Sequence, residues 1–194
     1  MTKTASILTA LVSSFAAADV SAQAAGAIVL DSPTLSAGQP MPRDHTPDGR
    51  NESPPLSWGG LPAGTRQLAL ICEDHGAGNP PPWVHWIVYG IPATAGGLPA
   101  AIPFDPADAM PVGLEGVRQG NNGWGLAMYR GPAPPSGTAH EYTFTLFALD
   151  AELDLPAGLT RTELLAAVEG HVLERATFTA TYARTPAEGG AAFD

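Results

Sequence analysis

Apolar positions in this chain come in short runs separated by Gly- and Pro-rich breaks, a pattern that predicts many strands and few helices. Ala27 to Leu30 is short and apolar, while Leu68 to Cys72 and Val84 to Ile91 are apolar on both faces, as inner strands of a sandwich are. Tyr142 to Leu149 and Thr177 to Tyr182 are rich in Thr, Phe and Tyr with partial alternation. Ser53-Pro54-Pro55, Leu61 to Gly64, Ala77 to Pro82 and Gly131 to Gly137 supply the turns. One helix is predicted, because Thr160-Arg161-Thr162-Glu163 has the spacing of a capping box. Leu164, Leu165 and Val168 follow at helical intervals, and Gly170 offers a stop. The pattern reads as a single all-β domain with a short helix near its C-terminal end.

Three strand ends carry polar groups that such a pattern does not require. Period two puts Leu68, Leu70, Cys72 and Asp74 on one face, so the carboxylate continues a row of core side chains. The same period puts Trp83, His85, Ile87 and Tyr89 together, with His85 among large apolar groups. His140, Tyr142, Phe144, Leu146 and Ala148 form a third row, with Glu141, Thr143 and Thr145 pointing the other way. Each signal is weak alone: an Asp at a strand end is usually a turn former, and a His between aromatics is usually a satisfied core residue. Together, Asp74, His85, His140 and Tyr142 have the chemistry to hold a phosphate or carboxylate. The histidines and tyrosine donate hydrogen bonds, and the carboxylate fixes a histidine tautomer or holds it protonated. Spacing alone does not say whether the strands converge.

Charge narrows the partners. Across 194 residues the net charge is −10, and Lys3 is the only lysine. Nucleic-acid binding is excluded as an expectation, since phosphate contacts need clustered Lys and Arg. An anionic ligand must therefore be held by a local site and not by the field of the whole molecule. Lys3, the apolar stretch Ile7 to Ala18 and the small-x-small site Ala22-Gln23-Ala24 read as a signal peptide over residues 1–24. Its removal would leave residues 25–194 as one domain, in the periplasm or secreted. No apolar run reaches membrane-spanning length, so no transmembrane segment is expected. The single Cys72 permits no internal disulfide and reads as a buried small hydrophobe. No close pairing of histidines points to a metal, and no cofactor is expected.

Longer motifs then carry a resemblance. Thr46-Pro47-Asp48-Gly49 through Ser53-Pro54-Pro55-Leu56-Ser57-Trp58 resembles the opening motif of bacterial phosphatidylethanolamine-binding proteins, a group also labelled Raf kinase inhibitor-like. Leu61-Pro62-Ala63-Gly64-Thr65 does too. Trp83-Val84-His85-Trp86 with Ile91-Pro92-Ala93-Thr94 is similar to its W-V-H-W strand, and Gly131-Pro132-Ala133-Pro134-Pro135-Ser136-Gly137 with His140 and Tyr142 to its G-P-x-P-P-x-G…H-x-Y motif. Asn121, Gly123 and Gly170-His171 also fit.

The resemblance implies a β-sandwich with Greek-key connections, one or two short C-terminal helices and a small anion pocket. By position that pocket would be lined by Asp74, His85, His140 and Tyr142, with Gly131 and Pro132 shaping its wall. It implies a phosphate, phosphomonoester or lipid head group as ligand, and a binding protein rather than an enzyme. A protease (or kinase) inhibitor is the alternative, and a hydrolase comes third: no G-x-S-x-G elbow is present, and Ser136 sits in a Pro-rich turn. The chain also departs from the family. The D-P-D-A-P segment stands here as Asp74-His75-Gly76-Ala77-Gly78, and H-R-Y as His140-Glu141-Tyr142, so an acid and a base are lost together. The cysteines of T-C-D-G and G-P-C-P-P are Pro47 and Ala133.

Overall fold

A computed structural model describes residues 27–80, 82–104 and 109–185. The signal segment 1–24 and the tail from Pro186 lie outside the described residues. Among the described residues, eight strands form two antiparallel sheets. β1 (Val29–Asp31), β2 (Leu56–Gly59) and β5 (Gly97–Leu98) make the small one, in the order β1-β2-β5. β3 (Gln67–Asp74), β4 (Trp83–Pro92), β6 (Arg118–Gln119), β7 (Ala139–Leu149) and β8 (Val172–Ala183) make the large one, in the order β6-β4-β3-β7-β8. Within it, β7 returns to lie beside β3, on the side away from β4 and β6. That gives the 4-1-2-3 order of a Greek key.

The five predicted strands are all present; the last four are longer than the apolar runs alone indicated, while the first is Val29–Asp31 and not Ala27 to Leu30. Hydrogen-bonded pairing carries β3 on to Asp74 and β7 back to Ala139, beyond the last apolar residues. β2, β5 and β6 are additional. Each is only two to four residues long, too short for a periodicity to show.

The inner strands of the large sheet are buried on both faces. Leu68, Leu70, Cys72, Phe144, Leu146 and Phe178 pack toward Leu30, Leu56, Trp58 and Leu98 of the small sheet. Ala69, Ile71, Ile87, Tyr89, Phe147 and Leu149 pack on the opposite side against Leu164 and Val168 of the helix α1 (Arg161–Val168). The sandwich therefore has a third layer, which explains why the inner strands are continuously apolar. Thr160 and Glu163 close the capping box at the start of α1, as their spacing predicts. Arg161 pairs with the buried Glu73 and so ties this helix to the end of β3. Cys72 is buried in the inter-sheet core, and desolvation pushes its thiol well above the usual range. No helix among the described residues is long and apolar enough to cross a membrane.

Candidate functional site

The three polar strand ends meet. In the register of the large sheet, Asp74 stands opposite Trp83 on one side and Tyr142 on the other. Strand β3 thus brings its terminal carboxylate between the ends of its two neighbours. His140 lies two residues before Tyr142, on the same face of β7, and reaches across to β3. Its Nδ1 is 2.7 Å from Asp74 Oδ2. The other carboxylate oxygen accepts the Gly76 amide at 2.8 Å, which fixes the turn leaving the strand.

His85 enters by a different route. Cys72 pairs with Trp86 but Glu73 with Val84, so β4 carries one extra residue, and that residue is His85. This bulge breaks the single row expected for Trp83, His85, Ile87 and Tyr89. Ile87 and Tyr89 point into the helix layer, whereas His85 is turned beside Tyr142, their ring centroids 5.1 Å apart. Bulges re-aim side chains in this way, and period-two counting does not see them. The His85 Nδ1 lies 2.6 Å from the Arg130 carbonyl oxygen.

Asp74, His85, His140 and Tyr142 line one cavity of about 170 Å3, together with Trp83, Trp124, Ala77 and the segment Ala133-Pro134-Pro135. That volume is roughly that of five or six liquid water molecules, the scale of a small anion with some hydration. Gly131 and Pro132 are not in its lining; the wall is made by the three residues that follow them. The Gly131 amide donates to Asn51 Oδ1 at 2.9 Å, and a Cβ there would collide with the His45 carbonyl. Its smallness lets this loop pack on the segment around Thr46, beside the Pro47 and Ala133 positions.

Trp124 was not singled out by the sequence, although an indole between two glycines is a visible oddity. Asn122 builds the loop that presents it: its Oδ1 accepts the amides of Trp124 and Leu126, and its Nδ2 donates to the Met128 carbonyl. Trp124 meets Trp83 and His85 edge-to-face, and the Arg130 guanidinium lies 4.4 Å above its ring centre. An apolar aromatic rim thus surrounds a polar floor, with one cation beside it.

Ring nitrogens separate these histidines from an ordinary buried one. His45, in a 3-10 turn, has both nitrogens within 3.0 Å of partners, Thr34 Oγ1 and the Glu52 carbonyl. Among the described residues, His85 and His140 each show a hydrogen bond at Nδ1 alone. Asp74 is 2% exposed and His85 3%, while the His140 side chain keeps 13%. Desolvation pushes the His85 ring below its ordinary value, against the pull of the Arg130 carbonyl and the Asp74 charge. Burial, with the Asp74 charge next, pushes the Tyr142 phenol far above its usual range, so it stays a hydrogen-bond donor.

A larger hollow of about 540 Å3 beside Phe104 and Arg118 shares none of these residues, and neither histidine nor tyrosine lines it. Among the described residues, no group of three or more His, Cys, Asp or Glu is placed to hold a metal ion.

Comparison with known proteins agrees with the geometry. Residues 31–183 match the sequence profile of the phosphatidylethanolamine-binding protein family. A UPF0098 protein of Methanothermobacter thermautotrophicus is 44% identical over 144 residues, covering 74% of this chain and 91% of its own. The UPF0098 protein YbhB of Escherichia coli is 38% identical over 136 residues, covering 70% and 84%. The crystal structure of Escherichia coli YbcL, described as a new member of the mammalian PEBP family, superposes with a TM-score of 0.74. It is 28% identical and covers 81% of this chain and 99% of that one. With its sandwich and these matches, the chain belongs to the phosphatidylethanolamine-binding protein family.

Proposed function

We propose that this chain is an exported binding protein, not an enzyme, and that its ligand is a small phosphate- or carboxylate-type anion. The ligand would sit in the cavity between Asp74, His85, His140 and Tyr142. One observation carries the reading. Two histidines from different strands line one small cavity, each held by its Nδ1 and each with Nε2 uncommitted. Among the described residues no serine or threonine hydroxyl is bonded to either ring, which favours binding over nucleophilic chemistry. The apolar rim of Trp83, Trp124 and Pro134 suits an organic substituent on the anion, such as the ester side of a phosphomonoester or of a lipid head group. Export is supported by the pattern of residues 1–24, and N-terminal sequencing of the protein from the periplasm or medium checks it.

Titrating the histidine NMR resonances with inorganic phosphate tests the binding reading. His85 and His140 should shift together along one saturable curve, while His45 and His171 stay in place. Unchanged resonances for both pocket histidines would refute it.

A further inference from the structure

The proton on each ring decides what the pocket can accept. The Arg130 carbonyl only accepts hydrogen bonds, so the His85 Nδ1 beside it carries the proton. The Asp74 carboxylate already takes the Gly76 amide on Oδ1, and its Oδ2 accepts in the same way from the His140 Nδ1. A neutral imidazole has one N–H, so in both rings it is spent on the protein. What each neutral ring offers a ligand at Nε2 is a lone pair. Two lone pairs and a nearby carboxylate are a poor receptor for an anion that brings no proton.

We propose that the pocket takes its anion together with one proton, and so selects phosphomonoesters over anions of equal charge that cannot carry a proton near neutrality. This rests on the anion-binding reading above. In the bound state a P–O–H group donates to one Nε2, or equivalently its proton has passed to that nitrogen and the resulting N–H donates to the phosphoryl oxygen. One O–H bond is exchanged for one N–H bond and nothing else changes. A phosphomonoester, whose second ionisation lies near pH 6, brings that proton at little cost. Sulfate does not, and must wait for a histidine to be protonated.

Among the described residues, the charged and titratable groups facing these rings are few. β3 contributes Asp74, β7 contributes Tyr142, and the loop before Gly131 contributes Arg130. The residue after β8 is Arg184, whose guanidinium is already engaged by Asp48. Asp74 favours uptake of a proton, and Arg130 disfavours it at His85, which burial also keeps neutral. The Tyr142 hydroxyl needs no added proton, but Asp74 already shares it.

The test is isothermal titration of the full chain with methyl phosphate and with sulfate between pH 5 and 8, in buffers of different ionisation heat. At pH 7.5 methyl phosphate should bind at least about tenfold tighter than sulfate. Above about pH 6 both anions should bind with uptake of close to one proton; below it methyl phosphate affinity should level off while sulfate affinity keeps rising by up to about tenfold per pH unit, closing the gap near pH 5. Equal affinities for the two anions, independent of pH and without proton exchange, would overturn the inference while leaving the anion pocket intact. Binding of neither anion at any pH would overturn the pocket reading itself, and this inference with it.

Discussion

Asp74 and His140 sit on neighbouring strands and meet at 2.7 Å in the lining of the cavity, through the Nδ1 of the ring. The contact orients the ring and leaves the carboxylate no free oxygen, since the Gly76 amide takes the other. Asp74→Ala should therefore do two things. Unfolding in urea should show a loss of about 2 kcal/mol, the scale of a buried charge-assisted bond. Phosphate affinity should fall about tenfold, or about 1.4 kcal/mol, as His140 loses its fixed orientation. Unchanged affinity would show that the carboxylate serves the fold alone.

His45 and His140 provide a matched pair for separating structure from function. His45→Ala removes a ring bonded at both ends, and should lower stability by about 1–3 kcal/mol with little effect on phosphate affinity. His140→Ala, at a more exposed strand end, should keep the fold and most of the stability but weaken phosphate binding at least about tenfold. Thermal unfolding and calorimetry on both variants check the contrast. A collapse of stability in His140→Ala with binding unaltered in the folded fraction would reverse the assignment.

Acid sensitivity should reside largely in Asp48. Burial alone would raise its carboxyl, but hydrogen bonds from Arg184 and Tyr182 outweigh this and hold it below the ordinary value. A depressed carboxylate contributes stability that is present above the unfolded value, near pH 4, and is lost as pH falls through the folded one. Asp48→Asn should be less stable than the parent at pH 7, and the difference should shrink below about pH 4. Chemical unfolding at pH 7, 4 and 3 measures it.

Gly123 backs the pocket wall. A Cβ there would come 2.5 Å from the Trp83 ring, and the Gly123 amide is held on the Val84 carbonyl at 2.8 Å. Gly123→Ala should push the Trp83 indole toward the cavity, change the tryptophan fluorescence and lower stability by about 1–3 kcal/mol. Phosphate binding should weaken with it.

How much of this was legible in the sequence follows from range. Alternation along β7 gave the row from His140 to Ala148 correctly, because β7 pairs without a break from Ala139 through Ala148. The helix start at Thr160 was legible too, since a capping box is made of residues three apart. His85 lines the same cavity as Asp74, His140 and Tyr142 although the period-two row predicted for it is wrong: the bulge opposite Cys72 and Glu73 is set by pairing between strands, which one strand's pattern does not contain. Trp124 was missed because its place depends on Asn122 bonding around a loop, and the wall falls on Ala133 to Pro135 rather than on Gly131 because the Gly131 amide turns inward to Asn51.

A crystal of the protein soaked with methyl phosphate tests the account most directly. The account predicts one phosphoryl group in the cavity, with its oxygens in hydrogen-bond reach of Nε2 of both His85 and His140, and the methyl group toward Trp83 and Trp124. A phosphoryl group bound elsewhere while this cavity holds only water, at a ligand concentration that saturates binding in solution, would contradict it.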